Sequence, residues 1–223
     1  IWGLKVTKRG GDGTNLIPED SFDEYKFPSG WIYKYYNFST GRRVGETYVG
    51  NNEGQPNLPD NIWITIVDYD ERNFPSNKKM LHIVPNAYGE IAYAADIKEG
   101  KKYLVTYTIG YSRIYDYTYA SIKENINGAW GKYIVEAGVG ATNEPIANKK
   151  YLGSEKIGSK TTIFQFLLTA PYDHEKAWFA LRIPANVNDA GKDFYLYDVA
   201  VFEYESENAP TKFVNPEDLP SFD

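Results

Sequence analysis

The side chains best suited to recognising a ligand in this chain are aromatic. Twenty tyrosines and five tryptophans accompany a single methionine. Sugar rings stack their C–H faces on flat apolar platforms, and planar charged groups span vicinal hydroxyls. The segment from Tyr111 to Tyr119 (YSRIYDYTY) mixes rings with a guanidinium and a carboxylate. Tyr111, Arg113 and Tyr115 are therefore candidate ligand-binding residues. Trp31, Tyr33 and Tyr35 form a second group, and Trp130, beside the turn residues Asn127-Gly128, is a candidate platform on a loop. Alternate residues of a strand face opposite ways. Tyr33 and Tyr35 thus share one face while Tyr36 takes the other, and one of the two sets belongs to the core. The same rings pair well across strands, so most of them are expected in the interior, Trp63 and Trp178 included.

Catalytic chemistry has less support. The chain has no cysteine, which removes thiol nucleophiles, zinc–thiolate sites and disulfides together. There is no Gly-x-Ser-x-Gly elbow, phosphate-binding loop or dinucleotide fingerprint. Glycoside hydrolysis needs two carboxylates about 5–10 Å apart across the sugar. No Glu-x-Asp-x-Glu run occurs, and Asp68-Tyr69-Asp70-Glu71, the nearest approach, ends a strand and leads into a turn. Of the two histidines, His82 lies mid-strand and His174 lies in a polar turn. No catalytic residue is assigned. Asn37-Phe38-Ser39 matches a glycosylation acceptor, which matters only in a eukaryotic secretory host.

The elements that must position these rings are strands. Residues 61–68, 79–84, 102–109, 117–122, 161–168, 177–183 and 194–204 are rich in β-branched and aromatic residues, several of them alternating in period two. No segment holds helical periodicity over three turns. Many short strands separated by turn residues predict an all-β sandwich or jelly roll. Three long polar stretches, 50–60, 70–78 and 138–158, read as loops. The predicted organisation is an N-terminal linker over 1–14, a sandwich over 15–205 and a C-terminal linker over 206–223. The net charge of −6, with both signs interspersed and no basic stripe, excludes nucleic acid as a partner. No apolar run reaches the roughly 20 residues of a membrane span, so no membrane partner is expected. The chain opens at Ile1 with no visible signal peptide and reads as an excised fragment or mature form.

Several motifs, in order, resemble one family. Asn15-Leu16-Ile17-Pro18, then Phe22-Asp23 and Gly30-Trp31, resembles the "NLxPxxxFE…GW" opening of calcium-associated carbohydrate-binding modules. Met80 to Ile83 falls where such modules place a short strand. Glu99 to Tyr107 resembles their "pGktYtvsf" strand, and Phe194 to Val201 resembles "fyiDDvsl". The resemblance spans about residues 15–204 and implies a galactose-binding-like jelly roll. It also implies a structural calcium between the N-terminal loop and the last strand, a cation that takes several oxygen ligands at about 2.3–2.6 Å. By motif position, Asp23 replaces the family glutamate, Asp198 matches the second acidic residue and Tyr197 replaces the first. Asn208 to Phe213 followed by Pro216-Glu217-Asp218 is similar to a run that follows such modules in bacteriophage tail and baseplate proteins, with Phe213 in place of tryptophan.

The function expected is non-catalytic binding of a polysaccharide or cell-wall saccharide by stacking and hydrogen bonds. The expected setting is extracellular or virion-associated, within a larger multidomain protein or virion. A jelly-roll glycoside hydrolase or polysaccharide lyase is the first alternative, and an adhesion or baseplate domain that contacts only protein is the second.

Overall fold

The computed structural model describes residues 15–17, 30–35, 47–49, 63–68, 79–84, 89–110, 119–138, 149–157, 161–183 and 194–219. In chain order the strands are β1 (Trp31–Tyr35), β2 (Thr47–Val49), β3 (Trp63–Asp68), β4 (Lys79–Val84), β5 (Gly89–Ile97) and β6 (Lys102–Gly110). They continue as β7 (Tyr119–Ile126), β8 (Ala129–Gly138), β9 (Lys149–Ile157), β10 (Thr161–Thr169), β11 (His174–Ile183) and β12 (Phe194–Tyr204). No α-helix occurs among the described residues. The chain is an all-β jelly-roll sandwich, as its patterning predicts. One sheet runs β2-β1-β5-β11-β7-β8 and the other β3-β4-β12-β6-β10-β9. The strand pairings among the described residues are antiparallel, including Trp31 with Tyr93, Phe179 with Ile122, and Val105 with both Val201 and Phe166.

Period-two alternation sorts each strand between two environments. Tyr103, Val105, Tyr107 and Ile109 of β6 face Ile91, Ala120, Ile122, Phe179 and Leu181 of the opposite sheet in one core. Phe164, Phe166 and Leu168 of β10 join them. The Tyr107 ring stacks on Phe164 at 5.7 Å and on Phe166 at 5.9 Å. Complete burial pushes its hydroxyl well above the usual phenol range. Aromatic mass is therefore concentrated where two pleated surfaces meet, and rings of this size each bury about 150–250 Å².

Trp31, expected to bind ligand, is corrected to a core residue. It is 1% exposed and packs against Tyr93 at 5.4 Å. Gly30 turns the chain into this position with a φ of +82°, and a Cβ there would lie 2.9 Å from the Tyr93 ring. The Gly-Trp pair of the sequence is thus a packing device.

A patch on the outer face of the second sheet is covered by the chain itself. Leu104, Leu167, Phe202 and Tyr204 form an apolar patch there, and Ala209, Val214 and Leu219 pack on it. Gln165, fully buried on β10, fastens this strap: its Nε2 donates to the Val214 carbonyl at 2.7 Å, and its Oε1 accepts from the Val214 amide at 2.8 Å. Two short 3-10 turns, Ser206–Asn208 and Pro216–Asp218, flank the docked stretch. Residues 206–219, expected as part of a linker, are therefore packed structure. The polar composition that suggested a linker conceals a few apolar side chains at the right spacing.

Replacing Gln165 with Leu would orphan the Val214 amide and carbonyl, at about 1–3 kcal/mol for each buried unpaired group. Gln165→Leu is expected to lower the urea midpoint and to speed hydrogen exchange at Val214 before the sandwich strands.

Candidate functional site

The outward positions of the first sheet carry an unusual set of residues. β5 supplies Glu90, Ala92 and Ala94, and β11 supplies Trp178, Ala180 and Arg182. β7 supplies Tyr119, Ser121 and Lys123. These lie one residue out of phase with the core positions Ile91, Leu181 and Ile122. β8 adds Trp130, Tyr133 and Glu136, opposite Asn125, Lys123 and Ser121. On a regular strand, residues spaced by three would not share a face. Two register shifts between β7 and β8 bring these three to the same side.

Small residues make the floor. Ala92, Ala180 and Ser121 are paired across β5, β11 and β7, and each is almost fully buried. Glu90 and Lys123 stand on the strands either side of β11, and Lys123 Nζ donates to Glu90 Oε2 across it. Both side chains are nearly buried, at 10% and 5% exposure. The Tyr133 hydroxyl donates to Glu90 Oε1 at 3.3 Å, and Arg182 Nε approaches the same oxygen at 3.6 Å. Arg182 Nη2 lies 3.4 Å from the Tyr133 hydroxyl and 3.7 Å from Glu136 Oε2.

Aromatic rings flank these charges. The Lys123 ammonium sits 3.9 Å from the Trp130 ring centre and 4.2 Å from that of Tyr133. The Arg182 guanidinium lies 4.4 Å from the Tyr119 ring centre. Tyr119 reaches this place because its cross-strand partner is Gly138, where a Cβ would lie 2.2 Å from the ring. Burial, and then the charge of Glu90, push the Tyr133 hydroxyl up to about 12. Buried ion pairs are weak stabilisers compared with apolar packing, so a network of them outside the core marks a candidate site.

Of the residues singled out in the sequence, Trp130 belongs to this network. It is half-buried against Ile32, Ala92, Trp178 and Ala180. Trp178 is buried as expected, but on this outer face rather than between the sheets. Tyr33 and Tyr35 occupy the same parity of β1 as Trp31, opposite Ile91 and Gly89. Tyr111, Arg113, Tyr115 and Asp23 lie outside the described residues, as do Asp70 and Glu71. Asp68 closes β3 opposite Lys79. His82 lies on β4, opposite Thr65 and Tyr195. His174 Nε2 accepts from the Asn125 amide at 2.9 Å, a link between β11 and β7.

Asp198 pairs in register with Thr108, beside a shift in the β12–β6 ladder. Among the described residues no group of three or more His, Asp or Glu side chains is placed to hold a metal. Hydrogen bonds tie the N-terminal segment to β12: Asn15 Oδ1 accepts from the Ile17 and Val201 amides at 3.1 and 3.0 Å, and the Leu16 amide donates to the Val201 carbonyl at 2.9 Å.

Glu90, Lys123, Tyr133, Glu136 and Arg182 were not recognised from the sequence. The available signal was Gly131, because glycine inside a strand often marks a bulge.

No family model and no curated protein matches the chain. Solved structures do match. A cyclase from Fischerella sp. TAU is similar with a TM-score of 0.51 and 11% identity, covering 86% of this chain and 98% of that one. The xylan-binding domain CBM22-1 from Paenibacillus barcinonensis is similar at a TM-score of 0.42 and 8% identity, over 90% of this chain and 99% of its own. The enzymatically active domain of tailspike protein 4 from Bacteriophage CBA120 matches at 0.49 and 10% identity over 85% of this chain. This chain spans about a fifth of that tailspike chain, 21%. At these identities the likeness is one of fold alone.

Two outcomes follow from the network. Lys123→Met, which leaves Glu90 buried without its ammonium, is expected to cost about 3–5 kcal/mol, and pairing it with Glu90→Leu should recover much of that loss in urea unfolding. Tyr133 bears on the alkaline limit. An unfolded tyrosine loses its proton near pH 10, as phenols ordinarily do, but in the fold Tyr133 loses it at about 12. Between these values the folded state binds more protons, so the stability present in full below pH 10 falls as pH rises towards 12. Phenolate absorbance should show a group titrating at about 12 that Tyr133→Phe removes.

Proposed function

We propose that this domain binds carbohydrate through the outer face of its first sheet and performs no chemistry on it. One observation carries this reading: a single face gathers the rings of Trp130 and Tyr133 with the planar groups of Arg182 and Glu136. Tyr133 is 47% exposed, so its ring is open to a sugar, while its hydroxyl is anchored to Glu90. An anchored ring loses little further freedom on binding, which favours affinity. On the opposite face the 206–219 strap occupies the apolar patch of β6, β10 and β12.

The ligand in this reading is a polysaccharide or cell-wall saccharide, and the setting is extracellular or on a virion, where the domain lends affinity to a larger assembly. No helix of the described residues is long and apolar enough to cross a membrane. A calcium ion held with the help of Asp23 and Asp198 would brace the fold rather than touch the sugar.

One specific observation favours a second reading. Glu90 and Glu136 both approach the Arg182 guanidinium, so two carboxylates share an aromatic face, and a pair of carboxylates is the residue type that glycoside hydrolysis uses. Incubation with insoluble polysaccharides, followed by product analysis, separates the two. Retention without new reducing ends or unsaturated products is the expected result, and released oligosaccharides would establish the hydrolase or lyase. Absence of retention on every glycan would leave a domain that contacts only protein.

Tyr133→Ala and Trp130→Ala are each expected to weaken retention about tenfold, equivalent to about 1.4 kcal/mol. Tyr133→Ala should keep a cooperative thermal transition, because that side chain is half exposed.

A further inference from the structure

The charge arrangement of the face bears on which glycans it can accept. Among the side chains described on this face two are cations, and an open lysine or arginine would draw uronates and other anionic polymers. Neither is presented in that way. The Lys123 ammonium is engaged by Glu90, lies over two rings and is 5% exposed. The Arg182 guanidinium lies between Glu90 and Glu136, over Tyr119, and is 16% exposed. Among the described side chains of the network, the two carboxylates match these two cations. The most open charge of the network is Glu136, at 29% exposure, and it is negative. Further along the same outward row of β5, Asp96 is exposed and accepts from the Lys176 amide at 2.8 Å. The whole chain carries −6.

We infer that the ligand is an uncharged glycan, bound by stacking on Tyr133 and by hydroxyls that donate to Glu136, and that anionic polysaccharides are excluded. This rests on the carbohydrate reading above. An anionic sugar would have to approach Glu136 directly or displace it from Arg182, and either route leaves charges opposed or unpaired in a poorly hydrated place. A neutral sugar disturbs none of these pairs. Its hydroxyls are donors, which a carboxylate accepts in charge-assisted bonds.

The test is affinity electrophoresis and pull-down of the chain against arabinoxylan, mannan and a β-glucan, beside polygalacturonate and alginate, in low salt and in 0.5 M sodium chloride. Retention on at least one neutral polymer is expected, changing less than about twofold with salt because no counterions are released, with none on the anionic pair. Glu136→Lys reverses the open charge. This variant should lose neutral binding at least tenfold and gain retention on polygalacturonate that salt abolishes. Wild-type retention on the anionic polymers alone, released by salt, would overturn the inference while leaving carbohydrate binding in place. Failure on every polymer would overturn the carbohydrate reading, and the inference with it.

Discussion

The ion pair between Lys123 and Glu90 organises the outer half of this molecule. The two residues stand on strands separated by β11, so their side chains must cross it. That crossing requires small residues beneath, and Ala180 and Ser121 supply them. It also places an ammonium under two rings and a carboxylate within reach of a tyrosine hydroxyl and a guanidinium. Apolar residues at both ends together would pack more cheaply. The charges persist at nearly buried positions because each is answered by another, and the network is tied to both the centre and the edge of the sheet.

The sandwich has two outer faces and treats them differently. The second sheet covers its apolar patch with the 206–219 strap, held by one buried glutamine that pairs with a backbone unit as a neighbouring strand would. The first sheet covers its alanine row with long polar side chains. A face sealed by apolar contacts gives a ligand no hydrogen bonds. A face covered by rings and paired charges gives it both stacking surface and hydrogen-bond partners. This asymmetry is what supports placing the proposed recognition on the first sheet.

The aromatic surplus is divided accordingly. Tyr103, Tyr107, Phe164, Phe166 and Trp31 fill the space between the sheets. Tyr119, Trp130 and Tyr133 lie outside it, each beside a charge. Composition announces a surplus of rings but cannot divide it, because a tyrosine suits a half-polar surface and a thick core equally well.

The amino-acid pattern by itself determined the all-β class and most of the strands, because period-two burial is written locally in many segments, but it missed β2, β5 and β8 and read the stretch that holds β9 as a loop. β6 shows this plainly: Tyr103, Val105, Tyr107 and Ile109 read as one face and form one face. The pattern also placed Trp130 among the candidates. Tertiary structure alone decided that Trp31 is core, that residues 206–219 are a docked strap, and that Trp130, Tyr133 and Glu136 share a side. The reason is physical. A bulge changes which way every later residue points, and it is visible only in the register between two strands. The partners of Lys123 lie on β5 and β8, one beyond an intervening strand and the other past two such shifts, where no local pattern reaches.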